Sequence, residues 1–215
     1  MSRLTVVLAS SLGKKYLMAA TGLMLAIFVL GHALGNTTIF WGRGALHGYA
    51  HHLHALGPLL RLVQILLATV FLLHIATGLV LFLQNRAAQG PTDVALRSWQ
   101  RAGVSRTMIY SGLALLAFLG LHLSHFVLAA NGMPLADQVV SVLGRFFPGL
   151  FYLAAFALLA LHLLHGLWSM VQTFGLSHPN YDGFVSTVCR GCALLIAGIF
   201  FAIGALLFCV PGYLA

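Results

Sequence analysis

This sequence is nearly without acid. It has no glutamate and only three aspartates, Asp93, Asp137 and Asp182, so no carboxylate side chain precedes residue 93. Charge of either sign is scarce: 7% of residues are charged and 60% are hydrophobic, with a mean hydropathy of +0.98. Soluble domains devote roughly a quarter of their residues to charge, so this composition excludes an ordinary soluble domain and gives an integral membrane protein. Cysteine is also sparse. Cys189 and Cys192 form a C-x-x-C, but no second pair completes a zinc site and no histidine follows for covalent haem attachment, so they and Cys209 are read as incidental thiols. The first apolar run is about twenty residues long and lacks a convincing small-residue cleavage site, so no cleavable signal is expected.

Eleven Lys and Arg set against three acids give a formal charge of +8. In a soluble chain that excess would suggest nucleic acid, but here the cations flank apolar runs, so topology accounts for them and no nucleic-acid partner is expected. Runs of roughly 20 apolar residues cross a bilayer as helix. Five are present, at about 16–39, 58–83, 107–130, 147–172 and 187–210. The expected fold is all-α, a single transmembrane domain over 1–215 with lipid around it. Arg3, Lys14, Lys15, Arg86, Arg97, Arg101, Arg106 and Arg190 fall on one side, and Arg43, Arg61 and Arg145 on the other. The excess of basic residues faces the cytoplasm, which predicts a multi-pass protein of the cell's inner membrane with its amino terminus inside.

What the chain has in quantity is histidine, eleven in all. Ionisable groups at membrane depth are costly and usually functional. Four of them sit in a repeated pattern. TGLMLAIFVLGH (Thr21 to His32) and SGLALLAFLGLH (Ser111 to His122) share [ST]-G-x9-H, while HIATG (His74 to Gly78) and HLLHG (His162 to Gly166) share H-x3-G. Counted at about 1.5 Å per residue from Lys15, Arg106, Arg86 and the expected helix end near Phe174, His32 and His122 lie roughly 24–26 Å from the cytoplasmic boundary, and His74 and His162 roughly 18 Å.

Two imidazoles at equal depth on different helices are what a six-coordinate haem b requires. The pattern therefore predicts two b haems, an outer one on His32 and His122 and an inner one on His74 and His162. Gly78 and Gly166, one turn from their histidines, leave room for a flat macrocycle. His125 and His165 follow ligands by three residues but lack the glycine spacing; they either hydrogen-bond within the bundle or line a quinone path. His47, His51 and His54 in RGALHGYAHHLHALGP would share one face of a short interfacial helix. That helix is either a wet surface element or faces a ligand.

On these residues the chain resembles the single-subunit, five-helix, di-haem cytochrome b anchor of succinate:quinone oxidoreductases, a group that includes menaquinol:fumarate reductase. The resemblance covers nearly the whole chain. It rests on GKKYLMAATG entering the first helix, the four histidines, YAHHLHALGPLLR in the outer connection and HGLWSMVQTFG leaving the fourth helix. It implies a flavoprotein partner with covalent FAD and the dicarboxylate site, an iron–sulfur subunit on the cytoplasmic face near SHPNYDG, and menaquinone or another quinone in the membrane. The expected role is electron transfer and quinone reaction within that enzyme, in the respiratory chain and tricarboxylic acid cycle. Lys14 and Lys15 are chemically suited to pair with inner haem propionates.

Two departures from the family matter. Some members carry a glutamate two residues before the fourth-helix ligand, where this chain has Ala160, and some carry a carboxylate near the quinol in the first connection, where this chain has none. Quinol protons are therefore assigned to Tyr49, His51 or His54 with Arg61. Each charge that crosses without compensation costs or yields roughly 2.3 kcal/mol per 100 mV. Two other readings compete: a two-haem cytochrome b of a formate dehydrogenase, hydrogenase or ascorbate-linked reductase, and a metal transporter gathering ions on HGYAHHLH. Against the transporter, metal sites commonly add carboxylate or thiolate ligands that these spans largely lack, and transporters place ligands on broken helices at midplane.

Overall fold

In the computed structural model, residues 10–88, 99–128, 132–210 and 212–214 are described, with 99–106 described by backbone alone. Arg3, Asp93 and Arg97, and the side chains of Arg101 and Arg106, lie outside the described residues, so most of the charge count for the second connection does too. Every regular element of the described chain is a helix, with no strand. The elements are α1 (Ser11–Asn36), a 3₁₀ turn (Thr37–Trp41), α2 (Arg43–Ala55), α3 (Pro58–Ala88), α4 (Trp99–Leu123) continued by a π-helical turn (Ser124–Leu128), α5 (Leu135–Leu143), α6 (Phe146–Thr173) and α7 (Asp182–Cys209).

Five of these are long and apolar enough to cross a membrane: Ser11–Trp41, Pro58–Ala88, Thr107–Leu128, Phe146–Thr173 and Asp182–Cys209. They match the five expected spans, with ends shifted by a few residues because polar turns continue as helix. Local chemistry sets those ends. Ser10 caps α1, its hydroxyl accepting the Gly13 N–H at 3.0 Å. Gly57, at φ +53°, precedes Pro58 in the first turn of α3. At the end of α6, Gly175 takes φ +72° and the Leu176 N–H reaches back to the Val171 carbonyl at 3.0 Å, closing the helix. Asp182 opens α7, accepting from the His178 N–H at 2.7 Å and the Ser177 hydroxyl at 3.0 Å.

The core lies between α6 and α7, which pack together most extensively, with α1 laid against both. Small residues bring the helices close. A Cβ on Gly204 would stand 3.0 Å from Phe156 and 3.1 Å from Leu153, and one on Gly149 would strike the Leu143 carbonyl and Phe208. α3 packs on α1, and α4 packs on α6; both turn rows of leucine outward. The four histidine-bearing helices are thus α1 and α3 on one side, and α4 and α6 on the other.

One end of the bundle is capped by the 3₁₀ turn, α2, α5 and the carboxyl-terminal turn, which bury Ile39, Leu46, Ala136, Leu143 and Leu214. Tyr213 donates to the Phe40 carbonyl at 3.0 Å, and Arg43 forms an ion pair with Asp137. α5 was not among the expected elements, although Ala136, Val139, Val140 and Leu143 have the spacing of one helical face. At the opposite end Lys14 Nζ donates to Gln84 Oε1 at 2.9 Å, joining the start of α1 to the end of α3. Inner and outer denote below the ends carrying Lys14 and α2.

Candidate functional site: two histidine pairs

The bundle brings the four repeated histidines together as two pairs. His32 on α1 faces His122 on α4 with ring centroids 6.0 Å apart, and His74 on α3 faces His162 on α6 at 6.5 Å. Each pair joins helices from opposite sides of the bundle, as the pattern predicts.

Inner pair geometry explains the [ST]-G half of the repeat. Thr21 Oγ1 lies 3.1 Å from His74 Nδ1, and Ser111 Oγ lies 3.1 Å from His162 Nδ1. The glycine beside each hydroxyl admits the same ring: a Cβ on Gly22 would stand 3.2 Å from His74 Cε1, and one on Gly112 would stand 3.4 Å from His162 Cε1. Thr21 and Ser111 are both buried. The eleven residues from Thr21 to His32, and from Ser111 to His122, make close to three turns. Hydroxyl and histidine therefore share one helix face, the first seating an inner imidazole and the second supplying an outer one.

This contact corrects the depth reckoning. Because His74 lies level with Thr21, the two pairs are separated by about eleven residues of helix rise, roughly 16 Å, rather than the 6–8 Å obtained by counting from terminal cations and the expected end of the fourth span. Lysine and arginine stems reach along the membrane normal, which makes their backbone positions uneven rulers. Thr21, Gly22, Ser111 and Gly112 were missing from the expected site residues. The repeat itself carried the signal, but it linked each glycine only to the histidine of its own helix.

Aromatic rings surround the outer pair. Phe28 stacks on His32 with centroids 5.6 Å apart, and Phe200 approaches it at 5.7 Å. Phe118 and Phe126 lie 5.7 and 5.1 Å from His122. Hydrogen bonding here is looser: Asn36 Nδ2 and the Tyr152 hydroxyl each lie 3.5 Å from the Nδ1 atoms of His32 and His122 respectively. Tyr152 is 2% exposed and its hydroxyl lies 3.1 Å from His125 Nδ1. The π turn that follows His122 brings His125 to that hydroxyl, and Gln138 of α5 holds the turn by donating to the His125 carbonyl at 2.6 Å. Such turns recur at functional sites. His125 is accordingly a packed, hydrogen-bonded histidine. His165 is partly exposed and hydrogen-bonds to no other described residue.

Both pairs fit a haem iron. A metal lies about 2 Å from an imidazole nitrogen, with the ring centroid about 1 Å farther back, so two axial rings have centroids about 6 Å apart. The inner histidines also meet the requirement for a free lone pair. Thr21 Oγ1 donates to the Leu17 carbonyl at 2.8 Å, and Ser111 Oγ donates to the Met108 carbonyl at 3.0 Å. With their hydrogens committed, both oxygens are placed to accept from Nδ1–H, an arrangement that would leave Nε2 unprotonated for a metal. The porphyrin supplies the other four nitrogens, so two protein ligands per iron suffice. A Cβ on Gly166 would meet nothing within 4 Å, and one on Gly78 would meet Met18 Cε at 3.3 Å.

Among the other expected site residues, Tyr49 packs its hydroxyl against Gly35, three residues beyond His32, where no Cβ would fit. His51, His54 and Arg61 are exposed, and no hydrogen bond, ion pair or ring contact connects them to the outer pair. His51 touches His52, with centroids 6.1 Å apart, and His52 Nδ1 lies 2.6 Å from the Gly48 carbonyl. Among the described residues no three His, Cys, Asp or Glu gather as a metal-holding group, so the α2 histidines do not form the ion-collecting cluster of the transporter reading. Lys15 is exposed beside the Gln84-bound Lys14, and the three cysteines are free thiols.

Comparison with protein-family profiles, curated proteins and solved structures finds no match to this chain.

Proposed function

We propose that this chain is the haem b-carrying membrane anchor of a succinate:quinone oxidoreductase or quinol:fumarate reductase, conducting electrons between membrane quinone and an iron–sulfur partner. The observation that carries the proposal is the pair of facing histidine sets, 6.0 and 6.5 Å apart, on four apolar helices. His32 and His122 would hold the outer haem, and His74 and His162 the inner one. When bound, each haem supplies a centre that takes up or releases one electron. The protein orients the four imidazoles, keeps water from the ligands and spaces the two levels along the membrane normal.

At the inner end, Lys14, Lys15, Arg190 and the SHPNYDG turn offer a basic and polar surface for the iron–sulfur subunit, with the FAD-containing flavoprotein beyond it. The turn is preorganised, since Asp182 holds its backbone and His178 stacks on Tyr181 with centroids 5.2 Å apart. At the outer end a quinone, menaquinone in the fumarate-reducing case, would react near Tyr49. Of the three acids, Asp137 is committed to Arg43 and Asp182 to the turn before α7. Quinol protons would pass instead to Tyr49 and the exposed His51 and His54, with Arg61 at the start of α3.

Affinity purification of the intact complex tests the proposal. Two protohaems per chain, together with flavoprotein and iron–sulfur subunits, support it. A molybdenum or nickel partner would assign the chain to a formate dehydrogenase or hydrogenase instead. Replacing His51 and His54 by alanine should slow quinol turnover while both haems remain; unchanged turnover and inhibitor binding would remove them from the quinol site.

A further inference from the structure

The two hydroxyls of the repeat do more than fill space. Thr21 and Ser111 occupy corresponding places on different helices, meet corresponding atoms of different histidines at the same 3.1 Å, and each spend their own hydrogen on a carbonyl of the preceding turn. Among the described residues neither outer histidine has such a partner. Asn36 presents an N–H₂ donor already engaged with the His32 carbonyl at 2.8 Å, and the Tyr152 hydroxyl lies closer to His125 than to His122.

We propose that Thr21 and Ser111 are positioning residues: they lock His74 and His162 in the Nδ1–H tautomer, aim Nε2 at the inner haem, and lower that haem's reduction potential by increasing the electron donation of its ligands. This rests on the di-haem reading and concerns only the inner centre. An acceptor at the distal N–H makes an imidazole a more basic ligand, which favours the oxidised metal.

The test compares Thr21→Val and Ser111→Ala with Thr21→Ser and Ser111→Thr in the purified complex, by redox titration and by electron paramagnetic resonance of the oxidised haems. The expected result is an upward shift of the inner midpoint potential and altered inner g-values in the hydroxyl-less variants. The outer haem should be unmoved, and the hydroxyl-retaining variants should behave like wild type. An unmoved inner haem in both hydroxyl-less variants, or an equal shift in the conservative ones, would overturn the proposal.

If the hydroxyl-less variants lose haem, retention in Thr21→Ser and Ser111→Thr supports the lock, and loss in those too contradicts it. Should wild type itself carry no haem, the di-haem reading fails. Side-chain nitrogen NMR then still judges the lock: protonated Nδ1 on His74 and His162 upholds the tautomer assignment, and protonated Nε2 ends it.

Discussion

The inner and outer histidine pairs have similar separations, yet the chain builds them by different means. Inner imidazoles rest in seats made of a hydroxyl and a glycine, Thr21–Gly22 and Ser111–Gly112, and among the described residues no aromatic ring packs on either beyond its partner. Outer imidazoles sit among Phe28, Phe118, Phe126, Phe200 and Tyr152, with described hydrogen-bond partners no nearer than 3.5 Å at Nδ1. One pair is fixed by directional bonds and the other by packing. The lesson is that equal ligand geometry need not mean equal chemistry, because hydrogen bonding and burial around a ligand tune the metal as much as its identity does.

The largest expected effect separates the pairs outright. His162→Ala should remove the inner haem alone, taking the protohaem count from two per chain to one; loss of both, or of neither, would show that the pairs are not independent centres. Next comes packing at the outer side. Gly149→Ala would set a Cβ against the Leu143 carbonyl and Phe208, atoms held by two helices. Its cost should match that of overpacking, about 1–3 kcal/mol, read as a lower unfolding temperature of the purified complex.

Tyr152→Phe sharpens the contrast with the hydroxyl seats. It leaves His125 Nδ1 without its partner at a part-buried site, a loss worth about 0.5–1.5 kcal/mol, and should perturb the optical spectrum of the outer haem while sparing the inner one. The smallest effect belongs to Arg43→Ala. Its partner Asp137 is 39% exposed, and exposed ion pairs contribute about 0–1 kcal/mol, so both haem spectra and the unfolding temperature should barely move.

Much of this was legible in the sequence. The five spans follow from apolar run length, and the histidine pairing follows from the repeat, which sets matching residues at matching depths on different helices. The seats were not legible, because hydrophobic periodicity shows which face of a helix turns inward but not which partner it meets there. Thr21 and His32 share a face of α1, yet the ring that Thr21 receives comes from α3, more than fifty residues on. Depth went astray for a related reason: terminal lysines and arginines anchor by flexible stems, whereas a hydroxyl–imidazole contact fixes the level directly. α5 was hidden by its shortness, its nine residues falling below any membrane-span threshold despite a clear apolar face.

The most direct measurement is a haem count with ligand-field spectroscopy on the complex purified intact. Two protohaems per chain, both low-spin and bis-histidine, are predicted. Fewer than two, or a spectrum requiring an axial ligand other than imidazole at either centre, would contradict the assignment of His32, His74, His122 and His162.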